Sequence, residues 1–195
     1  YNYTDGYGCT NTDTLKLTVL NSILSQTGNY SPVCNNASPV QLNGTPANGS
    51  WSGYGIVGDK FYPAIAGVGN HTITYQAAGG CGTMASTFIN VLYSAQISFT
   101  NPSNVFCENS NQAFLFASPS GGIWSGNSVQ SNGTFNPSAA GTGNHYVTYT
   151  YTYTNGCLTI DSTLIKVEQL PVVNAGNDRK VCINSGDITL SGYPS

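Results

Sequence analysis

Six cysteines have the clearest chemical options in this sequence: Cys9, Cys34, Cys81, Cys107, Cys157 and Cys182. No two form a Cys-x-x-Cys pair, the spacing that lets neighbouring thiolates reach one zinc ion, so zinc ligation is poorly supported. An even number of cysteines in a Thr- and Asn-rich, charge-poor chain fits disulfides formed in an oxidising compartment. The two histidines, His71 and His145, each follow Gly-Asn. Acid–base or metal chemistry at either would need a carboxylate or second ligand at a suitable spacing, and the sequence supplies none. A structural hydrogen bond at the start of a strand suits them better. Asp5, Asp13, Asp59, Asp161, Asp178 and Asp187 are scattered, with no Asp-x-Asp-x-Asp run. Calcium needs several oxygen ligands together, so a structural calcium ion has only a slender basis, and no other cofactor has any. There is no Gly-x-Ser-x-Gly elbow, paired-carboxylate motif or phosphate loop. A protein without catalytic residues is expected.

Composition narrows the class. Only 7% of the 195 residues are charged, against about 25% in an ordinary globular protein. No apolar run approaches the ~18 residues that would cross a bilayer as a helix, so direct membrane insertion is not expected. Polarity is carried by Ser, Thr, Asn and Gly, accompanied by 13 Tyr. Thr and Tyr suit the half-buried face of a strand, and Asn and Gly suit tight turns. Five Lys plus Arg and a net charge of -3 provide no clustered basic face for nucleic acid. Tyr1 falls within a strand-like segment, so an export signal is expected elsewhere in a longer parent chain.

These residues recur in register. One block reads VCNNASPVQLNGTPANGSWSG, FYPAIAGVGNHTITYQAAGGCG and TFINV; a second reads FCENSNQAFLFASPSGGIWSG, FNPSAAGTGNHYVTYTYTYTNGC and TLIKV. Trp51 aligns with Trp124, Phe61 with Phe135, His71 with His145 and Tyr75 with Tyr149. The offset is 73 at the tryptophan and 74 at the histidine, a period close to 75 residues. Tyr1 to Val19 match the tail of a block and Pro171 to Ser195 match a head. The expected organisation is therefore residues 1–21 as the end of a preceding repeat, 22–95 and 96–169 as complete repeats, and 170–195 as the start of a following one.

The elements that must carry these residues are strands. No stretch has helical periodicity over 11 residues. From Val147 to Tyr153 the pattern alternates, placing Val147, Tyr149, Tyr151 and Tyr153 on one face and the threonines on the other. Thr154-Asn155-Gly156 signals a hairpin turn, and Leu158 to Val167 return. Tyr75, Gly79-Gly80 and Thr87 to Val91 repeat the arrangement, as do Tyr1 to Tyr3, the Asp5 to Gly8 turn and Leu15 to Val19. Short strands at regular spacing predict an all-β fold of small immunoglobulin-like sandwiches in a linear array. Trp51 and Trp124 suit a core position between the sheets, with Tyr75 and Tyr149 beside them; an exposed sugar-stacking platform is the competing role.

Two pairing schemes fit the cysteines. Pairing within repeats gives Cys34–Cys81 and Cys107–Cys157, leaving Cys9 and Cys182 to partners beyond the chain. Sequential pairing gives Cys9–Cys34, Cys81–Cys107 and Cys157–Cys182, at separations of 25, 26 and 25 residues. The first scheme is favoured because one bridge per repeat suits small domains that fold alone, each bridge being worth about 2–4 kcal/mol. It requires Cα atoms within ~7 Å, although the two cysteines of a repeat could lie at opposite ends.

The run VC…L.G.P…G.WSG…F.P..AG.GNH..TY…GC…T…V resembles the immunoglobulin-like repeats of giant Bacteroidota cell-surface proteins, the SprB-like gliding-motility adhesins and related type 9 secretion substrates. The resemblance covers essentially the whole chain. It implies an extracellular stalk associated with the outer membrane. Its partners would be neighbouring repeats of the same chain, polysaccharide or abiotic surfaces, and an outer-membrane motility or secretion apparatus. No catalytic residues carry over from it. Asp13-Thr14-Leu15 and Asp161-Ser162-Thr163 resemble the O-glycosylation acceptor of the same bacteria, which implies attachment at the hydroxyls of Thr14 and Ser162; these are equally well solvent-facing strand hydroxyls. Connections such as Leu92 to Gln96 and Glu168 to Pro171 are short enough to restrict bending, which suits a stiff rod under tension. An accessory or carbohydrate-binding module of a secreted hydrolase is the alternative.

Overall fold

Alternation of Thr with Val, Ile and Tyr builds the longest strands. In the computed structural model, which describes residues 1–79, 81–184, 186–190 and 192–194, two long antiparallel hairpins dominate, one in each of two units, Tyr1–Tyr93 and Ser94–Ser195. The first unit contains β1 (Asn2–Thr4), β2 (Thr10–Thr12), β3 (Gln26–Thr27), β4 (Val33–Cys34), β5 (Val40–Gln41), β6 (Gly44–Thr45), β7 (Ser50–Ser52), β8 (Ile56–Val57), β9 (Lys60–Phe61), α1 (Pro63–Ala66), β10 (Gly69–Gln76) and β11 (Met84–Leu92). The second contains β12 (Ser98–Phe99), β13 (Val105–Cys107), β14 (Ala113–Phe114), β15 (Ala117–Ser118), β16 (Ile123–Gly126), β17 (Thr134–Phe135), α2 (Pro137–Ala140), β18 (Gly143–Thr152), β19 (Leu158–Glu168), β20 (Val173–Asn174) and β21 (Tyr193–Pro194).

Both units follow one plan. A four-stranded sheet has the order β4-β11-β10-β7 in the first and β13-β19-β18-β16 in the second. Within it the hairpin is antiparallel, and the short strand β4 or β13 runs parallel to the end of β11 or β19. The smaller sheets are β5-β9-β8 with β3-β6 in the first unit, and β14-β17 with β12-β15 in the second. The first core takes Phe61 from β9 and Ile73, Ile89 and Val91 from the long hairpin; the second takes Phe135 and Val147, Ile165 and Val167. Apolar residues from a large and a small sheet thus meet face to face, as in a β-sandwich. Full burial of each such side chain contributes about 1.5–3 kcal/mol.

The alternation reads directly in the strand pairing. Ile73 faces Thr87 and Tyr75 faces Ala85 on the inner side, while Thr74 faces Ser86 on the outer side. In the second unit Val147 faces Thr163 inside and Thr148 faces Ser162 outside. At the expected turn, Tyr153 N–H donates to the Cys157 carbonyl at 2.8 Å, and Gly156 takes φ 88, a backbone state that glycine adopts without steric cost. Gly80 of the expected Gly79-Gly80 turn lies outside the described residues.

The flanking segments form less than the expected pattern. Residues 1–21 contribute the β1-β2 hairpin alone, with Asp5 N–H donating to the Cys9 carbonyl at 2.9 Å as in the Tyr153–Cys157 turn. The strand expected at Leu15 to Val19 does not form: the backbone bonds of the hairpin end at Asp13, which pairs with Tyr1, and Leu15, Leu17 and Val19 are exposed. Their alternation has no facing sheet to cover it. Residues 170–195, of which Ser185, Ser191 and Ser195 lie outside the described residues, contribute only the short β20-β21 pair. The division between units falls at 93/94, inside the expected connection.

Candidate functional site

The most repeated polar geometry surrounds Tyr75 and Tyr149. Each points inward from the central strand of its large sheet and is 2% exposed. The Tyr149 hydroxyl donates to the Pro119 carbonyl at 2.8 Å and accepts from Gly122 N–H at 2.6 Å. The Tyr75 hydroxyl donates to the Pro46 carbonyl and accepts from Gly49 N–H at 2.8 Å. Both phenols are thus satisfied at their polar end, as buried tyrosine requires. The approach excludes a side chain at the glycine: a Cβ on Gly122 would lie 2.4 Å from Tyr149 Cζ, and one on Gly49 at the same distance from Tyr75 Cζ. Sequence reasoning overlooked these partners. The Pro-x-x-Gly spacing at Pro46/Gly49 and Pro119/Gly122, present in both blocks, was the available signal.

Trp51 and Trp124 stand beside these tyrosines in register, with ring centroids 4.9 Å apart in both units. Their burial differs. Trp124 is 5% exposed, whereas Trp51 is half-buried, packed on the core and on Tyr30. The cause is local. Residues 52–60 separate Trp51 from Phe61, but residues 125–134, one more, separate Trp124 from Phe135. In the second unit the Ser131 carbonyl accepts from Trp124 N–H, and Gly133 closes over the indole, where a Cβ would approach Nε1 to 2.9 Å. In the first unit Trp51 borders an open depression with Ser50, Ser52, Ile56 and Asp59.

His71 and His145 bind through Nε2 to the carbonyls of Gly67 and Gly141, both at 2.8 Å. A carbonyl only accepts, so Nε2 carries the proton. Those glycines end the single-turn helices α1 and α2 at φ 78 and 77. The histidines therefore tie the helix end to the first residues of β10 and β18. Among the described residues no three His, Cys, Asp or Glu side chains gather as a metal-binding group.

The favoured within-repeat cysteine pairing is corrected. Cys81 and Cys107 are exposed free thiols, so neither Cys34–Cys81 nor Cys107–Cys157 forms; Cys9 is also an exposed free thiol, and Cys182 is exposed. The parallel strands supply the reason. Cys34 pairs with Leu92 at the end of β11, whereas Cys81 precedes its start. Eight strand steps from Met84 to Leu92 span roughly 27 Å. Cys107 pairs with Glu168 at the end of β19 while Cys157 precedes Leu158, so ten steps separate them by roughly 34 Å. A bridge spans only ~7 Å between Cα atoms.

The two hydroxyls with the acceptor-like motif are both exposed. Thr14 N–H and Ser162 N–H each donate to Oδ1 of the preceding aspartate at 2.8 Å. Ser162 Oγ also shares a 2.9 Å hydrogen bond with Thr148 Oγ1 on the neighbouring strand, and Ser86 does the same with Thr74.

At Ile23 in the first unit and at the start of the second, a threonine hydroxyl holds the chain that leads into the sandwich. Thr83 Oγ1 donates to the Ile23 carbonyl at 3.1 Å, and Thr159 Oγ1 to the Ala95 carbonyl at 2.8 Å. In each unit this segment therefore lies beside the hairpin turn, and the end of β11 or β19 lies beside β4 or β13.

Fold and geometry together define a pair of equivalent all-β units whose recurring polar groups serve internal hydrogen bonds. No family model matches the chain, and no curated protein matches it. Among solved structures it is similar to SGBP-B of the Bacteroides ovatus mixed-linkage glucan utilization locus, in complex with a mixed-linkage heptasaccharide. Identity is 14% over 73% of this chain and 44% of that one, with a TM-score of 0.26. The chain thus spans less than half the length of that structure, and so small a superposable fraction sets no constraint on function. Among the described residues no helix is long and apolar enough to cross a membrane.

Proposed function

We propose that this chain is a stalk segment of a large cell-surface adhesin serving gliding motility or surface attachment, exported by the type 9 route and without catalytic role. One observation carries the reading: the tyrosine, histidine and tryptophan that recur between the units are engaged in holding each sandwich together. Repetition of structural contacts is what a spacer needs, because each unit must stand independently while the chain lengthens. The low charge and the Thr- and Asn-rich surface suit weak, repeated contact with polysaccharide or abiotic surfaces. Antibodies against the chain are expected to label intact cells of the parent organism, and loss of the gene is expected to reduce surface spreading or attachment. Labelling only after permeabilisation, or unchanged movement and attachment, would sink this reading.

A second reading, a carbohydrate-binding module, has one specific observation in its favour. Trp51 keeps part of its ring exposed beside Ser50, Ser52 and Asp59, an apolar face next to hydroxyl and carboxylate groups that suits a sugar ring. Calorimetric titration of the chain with soluble plant and microbial polysaccharides distinguishes the two. Saturable binding abolished by Trp51→Ala supports the module, and no heat from any of them supports the stalk.

A further inference from the structure

The two units differ in one polar feature beside the tryptophan. Leu42 N–H donates to the Asp59 carbonyl at 2.9 Å, and Leu115 N–H donates to the Gly133 carbonyl at 2.9 Å, so Asp59 and Gly133 hold the same place in the two folds. At Gly133 the backbone lies against the Trp124 indole and leaves no room for a side chain. The first unit carries a carboxylate there, and its indole is only half-buried. That carboxylate is held in place: Gln41 Nε2 donates to Asp59 Oδ2 at 2.9 Å and to the Asp59 carbonyl at 3.0 Å. The strand register puts Phe114 where the first unit has Gln41. Of the two units, the first alone therefore has both the carboxylate and the amide that orients it. Trp51 and Asp59 line two adjoining depressions. One, of about 500 Å³, includes Ser50 and Ser52; the other, of about 370 Å³, includes Gln41 and Asn48. Both volumes lie in the range of small-ligand sites. Asp59 is the one charged side chain lining either depression, and no cation of the described residues pairs with it.

We propose that this groove binds an amino-sugar unit of a polysaccharide, with the pyranose ring stacked on Trp51 and the ammonium group paired with Asp59. The inference rests on the sugar-binding reading of Trp51 given above and adds to it the class of sugar. The apolar C–H face of a pyranose suits the exposed part of the indole. An ammonium group at the ring edge gains further from the negative face of the indole. A carboxylate only accepts hydrogen bonds, so Asp59 favours a ligand rich in donors and repels an acidic sugar. Neutral hydroxyls also donate to it, but an ammonium adds charge attraction to the hydrogen bond. Gln41 is a positioning residue. It occupies Asp59 Oδ2 and leaves Oδ1 to accept from the ligand.

The test is calorimetric titration of the full chain with chitosan, chitin and cellulose oligosaccharides of equal length, in a weakly acidic buffer that keeps the amine protonated. The chitosan oligosaccharide is expected to bind about three- to tenfold more tightly than the other two, the scale of one exposed charge pair together with one cation–π contact. Asp59→Asn keeps an oxygen for Gln41 and is expected to erase that preference while cellulose binding stays. Gln41→Ala is expected to narrow the preference, again with cellulose binding unchanged. Asp161→Asn makes the same change of charge in the second unit and is expected to leave the preference intact. Equal affinity for the three oligosaccharides, or a preference that survives Asp59→Asn or is lost as readily in Asp161→Asn, would overturn the proposal and leave the sugar-binding reading standing. No binding of any of the three overturns both.

Discussion

Tyr149 and Pro119, thirty residues apart in sequence, are joined by a 2.8 Å hydrogen bond from the phenol to the proline carbonyl, and the same hydroxyl receives Gly122 N–H. Removing that oxygen leaves a half-buried donor and acceptor without their phenol partner. Tyr149→Phe is expected to destabilise the second unit by about 1–3 kcal/mol, the usual cost of stranding such groups. Urea unfolding followed by circular dichroism would measure it. A shift within error would mean that water reaches the loop and replaces the phenol.

The same corner sets a volume limit. Gly122→Ala would place a methyl group 2.4 Å from the Tyr149 ring and 2.5 Å from the Thr150 carbonyl oxygen. Backbone or ring must move, at a cost of about 1–3 kcal/mol or more. Gly6→Ala is the control: an added Cβ there meets nothing within 4 Å, and the residue lacks a positive φ. Thermal melts of the two variants should separate clearly, and equal melting temperatures would refute the crowding.

The two tryptophans should report their unequal burial. Trp124→Phe leaves Trp51 as the sole indole, and Trp51→Phe leaves Trp124. Acrylamide is expected to quench the first variant several-fold more strongly, because Trp51 borders an open depression while Gly133 closes over Trp124. Equal quenching constants would contradict the difference.

Much of this architecture is written in local patterns. The alternation from Val147 to Tyr153 and the Asn155-Gly156 turn lead straight to the β18-β19 hairpin, because a period of two fixes which side chains point inward. Tyr75, Tyr149 and Trp124 could be assigned to the interior from their recurrence beside those strands. The cysteine geometry was less legible. It depends on β4 and β13, strands of two and three residues that carry no period, and on their parallel pairing with a distant strand. Equal spacing along the chain says nothing about which end of a sheet a residue reaches. The exposure of Trp51 was equally hidden: the two blocks match closely in sequence around the tryptophan, yet Gly133 lies over Trp124 while Trp51 borders an open depression. Leu15 to Val19 show the converse: a strand pattern without a sheet to join stays unpaired.

The parallel contact of Ile23 with the chain that enters β11 has a mechanical meaning. Ile23 bridges Gly82 in parallel, and Thr83 N–H donates to the Ile23 carbonyl at 2.9 Å. Pulling the termini of that unit apart slides these segments past one another, so their bonds meet the force in shear and must rupture together. An antiparallel contact at the same place would unzip one bond at a time and yield at a far smaller force.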